Sequence, residues 1–127
     1  MIYGVGTDLI EIARIARALE RHGERFAERI LCEPELKRFR GHRKPVHYLA
    51  KRFAAKEAFS KALGTGIRAP ANWHGVWVVN MNSGQPRLEF SAALAALLKE
   101  RGVKRAHVSL SDERDMASAT VILESEA

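Results

Sequence analysis

Two carboxylates and an amine have the residue types and spacing to act on a phosphate. Glu57 and Lys61 lie four residues apart in a stretch of helical period, so they share one helix face. Asp8 follows an apolar stretch that carries Gly4 and Gly6, and it lies just before the next helical period. Two carboxylates with open water positions suit Mg²⁺ bound together with a phosphate substrate, because that ion keeps several waters. A lysine beside them adds fixed positive charge for phosphate oxygens. Each residue also has a plainer use. Glu57 and Lys61 can form an i,i+4 ion pair worth about 0.3–0.5 kcal/mol on a solvated face. Asp8 can serve as an N-cap or first-turn carboxylate favoured by the helix dipole.

Other residues are weaker candidates. Gly64, Thr65, Gly66 and Arg68 resemble a phosphate loop, yet they follow a helix rather than precede one. The C-terminal end of a helix carries negative partial charge, so backbone N–H groups, Lys61 and Arg68 would have to supply the attraction. The same glycines also suit a helix stop and a turn. Arg14, Arg17, Arg21 and Arg25 form a stripe at i, i+3, i+7 and i+11. It reads as a solvated face paired with Glu20, Glu24 or Glu28, or as a docking strip for an acidic helix. His107, at the start of a strand, reads by itself as structural. His22, His42, His47 and His74 have no metal-ligand spacing, and Ser109 and Ser111 lack a nearby His–Asp arrangement. Cys32 is the single cysteine, which excludes an internal disulfide and a multi-cysteine zinc site and fits a reducing cytoplasm.

The elements that must hold these residues follow from periodicity. Residues 1–7 are apolar and β-branched, which predicts a short strand. Ile12, Ile15, Ala16 and Leu19 predict a helix that Gly23 ends. Phe26, Ile30 and Leu31 predict a short helical piece, and Pro34 opens another that Gly41 stops. A long helix is expected over 46–63, closed by Gly64, with apolar residues on two opposite sides and hence packing on both. A loop over 65–72 leads to strands at 76–79 and 87–90, read as a hairpin. Ser91 caps a helix through Lys99, and the last strands are 107–110 and 117–123. Helices mixed with antiparallel strands, without a βαβ rhythm, predict an α+β fold, an antiparallel sheet packed with one long helix. The 127 residues form one expected domain, 1–127, with no linker or repeat.

Two sequence blocks resemble the holo-acyl-carrier-protein synthases, the small 4′-phosphopantetheinyl transferases. The first runs from Gly4 through Asp8 to Arg14. The second is Lys51-Arg-Phe-Ala-Ala-Lys-Glu57-Ala-Phe-Ser-Lys61-Ala-Leu-Gly-Thr-Gly66. The tail from His107 and the overall length match as well, so the resemblance covers nearly the whole chain. It implies transfer of the 4′-phosphopantetheine arm of coenzyme A to a serine of apo acyl carrier protein, in support of fatty acid biosynthesis. Adenosine 3′,5′-bisphosphate is the other product. It also implies that Asp8 and Glu57 hold Mg²⁺ and that Lys61 neutralises phosphate charge. The segment from Gly64 to Arg68 would line the coenzyme A cleft, His107 would lie near its nucleotide end, and Arg14 and Arg21 would meet the carrier. The implied assembly is a homotrimer with active sites between subunits, to which Arg52 would contribute from a neighbouring chain. Glu57, directly or through a metal-bound water, is our choice as acceptor of the serine proton.

The charge distribution suits an anionic partner. Lysines and arginines exceed acidic residues by six, and residues 1–61 hold the whole excess, fourteen basic against eight acidic. A basic nucleic-acid-binding module is the alternative, but no reader motif or aromatic stacking platform is present, so no nucleic-acid partner is expected. A purely structural trimer would leave the two blocks unexplained. No apolar run approaches the roughly 20 residues that cross a bilayer, and the N-terminus lacks a basic leader. The chain is therefore expected to be cytoplasmic, off the membrane and mature from its start. Asp112 and Met116 depart from the family's common His and aromatic residue, and Ala18 stands where some relatives have a larger apolar residue. These changes touch local packing, a nucleotide-side contact and carrier affinity.

Overall fold

The computed structural model describes residues 1–126. In chain order the elements are β1 (Ile2–Glu11), α1 (Ile12–His22), α2 (Glu24–Ile30), α3 (Glu33–Arg40), α4 (Pro45–Leu63), β2 (Val76–Asn80), β3 (Pro86–Phe90), α5 (Ala92–Glu100), β4 (Val103–Asp112) and β5 (Met116–Ser125). β1, β5 and β4 form one antiparallel sheet in that order, and β2 and β3 form a separate hairpin. The arrangement is the expected α+β fold.

Helix α4 is packed on both sides, as its two apolar faces require. Ala50, Ala54, Ala55, Ala58 and Phe59 are fully buried. Pro45 stands in the first turn, where its missing N–H costs nothing, and Gly64 takes the left-handed conformation that closes the helix. Small side chains on α4 let the sheet come close, and β1 answers with glycine. A Cβ on Gly4 would run into the Ala62 carbonyl oxygen, and one on Gly6 into that of Ala58. Gly4, Gly6 and Asp8 alternate onto the same face of β1. On β5, Ala117, Ala119, Val121 and Leu123 complete the buried face. The opposite face stays open, with Val5 54% and Leu9 66% exposed.

Three expectations change. β1 runs on to Glu11, because β5 extends from Met116 and pairs along it, with Asp8 opposite Ala119 and Glu11 opposite Met116. Asp8 is therefore a strand residue, not a helix cap. The start of α1 has no side-chain cap, and the Ile12 N–H instead donates to the Asp115 carbonyl at 2.9 Å. β4 likewise is longer than expected, from Val103 to Asp112, and pairs with β5 up to Asp112 opposite Ala117, so the turn between them is shorter than 111–115. Finally, Gly23, with φ of 66°, separates α1 from α2, so Arg25 leaves the arginine stripe. The expected hairpin is present, with Val76 opposite Phe90 and Asn80 opposite Pro86. The Ser91 cap is present too, its hydroxyl accepting the Leu94 N–H at 3.2 Å.

Candidate active site

The glycine approach of β1 to α4 carries Asp8 to the flank of the long helix. Its Oδ1 lies 3.2 Å from the Lys61 ammonium, which also donates to the Thr7 carbonyl at 2.9 Å. Among the described residues no ion pair joins Glu57 to Lys61, so the i,i+4 pair is replaced by a tertiary one. The reason is geometric: β1 lies against this face and offers a carboxylate and a carbonyl together. Glu57, one turn earlier on α4, is half-buried and hydrogen-bonded to nothing through its carboxylate among the described residues. Burial pushes its pKa up first, and the Asp8 charge adds to the rise; Lys61 and Arg14 pull it back. Charges from β1, α1 and α4 thus converge on one spot, although Asp8, Arg14, Glu57 and Lys61 are spread over more than fifty residues of sequence.

Asp8 and Glu57 fit a divalent cation. Two carboxylates close enough for one to raise the other's pKa are relieved by a cation between them. Among the described residues no third His, Cys, Asp or Glu joins them. Two carboxylates with water and a substrate phosphate make the ordinary donor set of Mg²⁺, rather than of a closed transition-metal site.

The raised Glu57 pKa has a stability consequence. For a carboxyl whose pKa is higher folded than unfolded, stability is present below the unfolded value and is lost as pH rises through the folded one. In chelator, Glu57→Gln should therefore melt no lower than the parent at pH 7, and the gap should close near about pH 4. Thermal melts at the two pH values test this; a clearly lower melt for the variant at pH 7 would contradict the unfavourable setting of Glu57.

Residues 64–68 behave as a helix stop. The N–H groups of Gly64, Thr65 and Gly66 all turn back to the Ser60 carbonyl, at 2.9, 3.2 and 3.4 Å. They do not point outward as a phosphate cradle, so the expected backbone attraction is withdrawn. Lys61 and the exposed Arg68 remain the cations of this segment.

Arg52 and Glu57 face different sides of α4. Arg52 is only 4% exposed, lies over the Tyr48 ring at 4.2 Å, and donates to Asn80 Oδ1 at 2.9 Å. Arg38 donates to the same oxygen at 2.9 Å. His107 sits on the open sheet face, its Nε2 2.6 Å from a Glu124 carboxylate that Arg105 also contacts. Within one chain, neither Arg52 nor His107 reaches the Asp8 cluster. Arg14 and Arg21 are exposed on α1, and an open recess beside them is lined by Arg21, His22, Arg25, Phe26 and Arg29. Asp112 binds His47 Nδ1 at 2.8 Å and Lys51 at 3.2 Å, so this departure ties the end of β4 to α4. Burial works to raise its pKa, but these two partners outweigh burial and hold it low.

The sequence reading did not single out Lys56, Glu35, Arg38 or Asn80. Lys56 carried a usable signal, since Arg52, Lys56 and Ser60 lie at i, i+4 and i+8, and all three are buried. The partners in these contacts are too distant in sequence for local patterning to pair them.

Comparison with known proteins identifies the family. Residues 4–121 match the family described as the 4′-phosphopantetheinyl transferase superfamily. A holo-[acyl-carrier-protein] synthase of Nitrosomonas europaea is 53% identical over 98% of this chain and 99% of its own. The crystal structure of the enzyme of that name from Neisseria meningitidis superposes with a TM-score of 0.95 at 46% identity, covering 98% of this chain and 99% of its own. One from Bacillus anthracis, in complex with coenzyme A (3′,5′-ADP), gives 0.83 at 38% identity, with 99% of each chain covered.

Proposed function

The chain belongs to the 4′-phosphopantetheinyl transferase superfamily, and from that premise we propose how its residues carry out the reaction. It is a holo-[acyl-carrier-protein] synthase in activity: it transfers 4′-phosphopantetheine from coenzyme A to apo acyl carrier protein. A bond forms between a carrier serine oxygen and phosphorus, the pyrophosphate P–O bond breaks, and adenosine 3′,5′-bisphosphate leaves. The protein has little covalent work to do, so alignment and charge stabilisation carry the rate. The convergence of Asp8, Glu57 and Lys61 supports this assignment above all else. Asp8 and Glu57 would hold Mg²⁺, which when bound supplies Lewis acidity to the pyrophosphate oxygens. Lys61, half-exposed on a flexible stem, is placed to exchange Asp8 for a phosphate oxygen. Glu57 is the residue that accepts the serine proton.

The segment from Gly64 to Arg68 lines the coenzyme A cleft beside Lys61, with Thr65 and Arg68 offering side chains and Gly64 and Gly66 shaping the turn. Arg14 and Arg21 meet the acidic carrier. The protein acts as one domain in the cytoplasm, in fatty acid biosynthesis, and assembles as a homotrimer with a cleft shared between subunits. Among the described residues no helix is long and apolar enough to cross a membrane. Two observations support the shared cleft. Val5, Leu9 and Tyr3 leave the open sheet face apolar and uncovered. His107 lies on that same open face, away from the Glu57 of its own chain, which suits contribution to a neighbouring chain's coenzyme A, whereas Arg52, 4% exposed, would have to turn out from Asn80 to do the same. Arg52→Ala and Glu57→Ala subunits, each inactive alone, should regain activity when mixed, because some interfaces of a head-to-tail ring receive both native residues. Native mass spectrometry confirms exchange; mixed trimers no more active than their parents would reject the shared cleft.

The reaction itself is tested by weighing the carrier after incubation with coenzyme A, Mg²⁺ and the protein. A pantetheine-sized mass gain is expected, and none without Mg²⁺. An unchanged carrier under saturating substrates would overturn the assignment.

A further inference from the structure

Lys56 is fully buried and the mechanism makes no use of it. Its ammonium donates to three oxygens, each 2.7 Å away: the Ile30 carbonyl at the end of α2, the Trp73 carbonyl, and Glu35 Oε1 on α3. Glu35 is itself 1% exposed and also accepts the Cys32 N–H and, through Oε2, the Val78 N–H of β2, both at 2.9 Å. The pair thus ties four separate pieces of chain to α4 at the residue next to Glu57. Trp73 is the far end of the segment that begins at Gly64. Its ring also stacks on Phe53 of α4, with centroids 5.0 Å apart. The near end is held by the Ser60 carbonyl. Between those two anchors, Arg68 and Ala71 form a local bridge, Ala71 is buried in the core, and Arg68 stays exposed.

We propose that Lys56 is a positioning residue for the transfer reaction: by holding the Trp73 carbonyl it sets the course of residues 64–73, and so the coenzyme A wall beside Glu57. Glu35 keeps the buried ammonium paired and aimed, as a buried cation needs a hydrogen-bonded partner. This rests on the proposed coenzyme A cleft. Position matters here because small misplacements of a bound phosphate cost rate steeply.

Three variants separate positioning from plain stability. Glu35→Gln weakens the pair but leaves the Lys56–Trp73 bond. Lys56→Met removes that bond. Lys56→Met with Glu35→Gln removes it without leaving a buried charge unpaired, which favours folding. For both lysine variants the KM for coenzyme A should rise roughly tenfold to a hundredfold, with the KM for the carrier within about twofold. Glu35→Gln should melt lower yet keep the coenzyme A KM within about threefold. Limited trypsin digestion of the folded proteins gives an activity-independent readout: cleavage after Arg68 should accelerate in the lysine variants alone. Equal coenzyme A KM changes in Glu35→Gln and the lysine variants would overturn the proposal. So would unchanged KM and unchanged cleavage in folded lysine variants, or failure of both lysine variants to fold. The parent protein is the control for the cleft: if it transfers no pantetheine, the functional reading fails, whereas an active parent with indifferent variants refutes only the role of Lys56.

Discussion

Asp8→Ala and Glu57→Ala should each lower kcat at least about a hundredfold, the scale on which a single preorganised charge-stabilising group acts. Both side chains are assigned to one cation, so either loss halves the protein's share of its ligands. Folding should survive. Asp8 loses only an ion pair to a half-exposed Lys61, and exposed pairs are worth about 0.2–1 kcal/mol. Glu57 sits in a setting that disfavours its charge, so its removal relieves repulsion from Asp8. Steady-state rates over a Mg²⁺ titration, beside thermal melts, check both halves. Raising Mg²⁺ should recover part of the Asp8→Ala rate if affinity is what was lost. Near-normal turnover of either variant at limiting Mg²⁺ would sink the assignment of these carboxylates.

Reversing Arg14 and Arg21 to glutamate should weaken carrier binding at least about tenfold while changing coenzyme A affinity little. The two lie seven residues apart on the exposed side of α1, while Ile12 and Ile15 are buried on the other, so the core is untouched. The structure adds one refinement. The Arg14 charge acts on Glu57, so its reversal also drives the Glu57 pKa higher. Arg21→Glu alone is the cleaner docking variant, and equilibrium binding is a cleaner readout than turnover. Carrier binding by the parent should fall as salt rises from 0.05 to about 0.5 M, and less steeply in the double variant, because fewer charges remain to be screened. Equal losses for carrier and coenzyme A, or a carrier affinity that ignores the reversal, would rule out α1 as the docking strip.

What the sequence by itself determined is the part ruled by local geometry. Helical period puts Glu57 and Lys61 on one face of α4 and splits Ala54 and Ala55 between two buried sides. Alternation in a strand puts Gly4 and Gly6 on one face of β1, and the glycines announce a close neighbour. The reaction class was legible before any coordinates through the resemblance of two blocks to the transferase family, not through these local patterns. Partner choice was not. Lys61 takes Asp8 over Glu57 because an i,i+4 pair on a helix surface gains only tenths of a kcal/mol, and a strand arriving with a carboxylate and a carbonyl outbids it. β1 extends to Glu11, and Asp8 ceases to be a cap, only because β5 is there to pair with it. Lys56 looked like one more helix cation next to Glu57. It became a fully satisfied buried charge once α2, α3 and the segment ending at Trp73 brought it three oxygens from as many stretches of sequence. A buried ammonium is tolerated only where such acceptors converge, and convergence is a property of the tertiary fold alone.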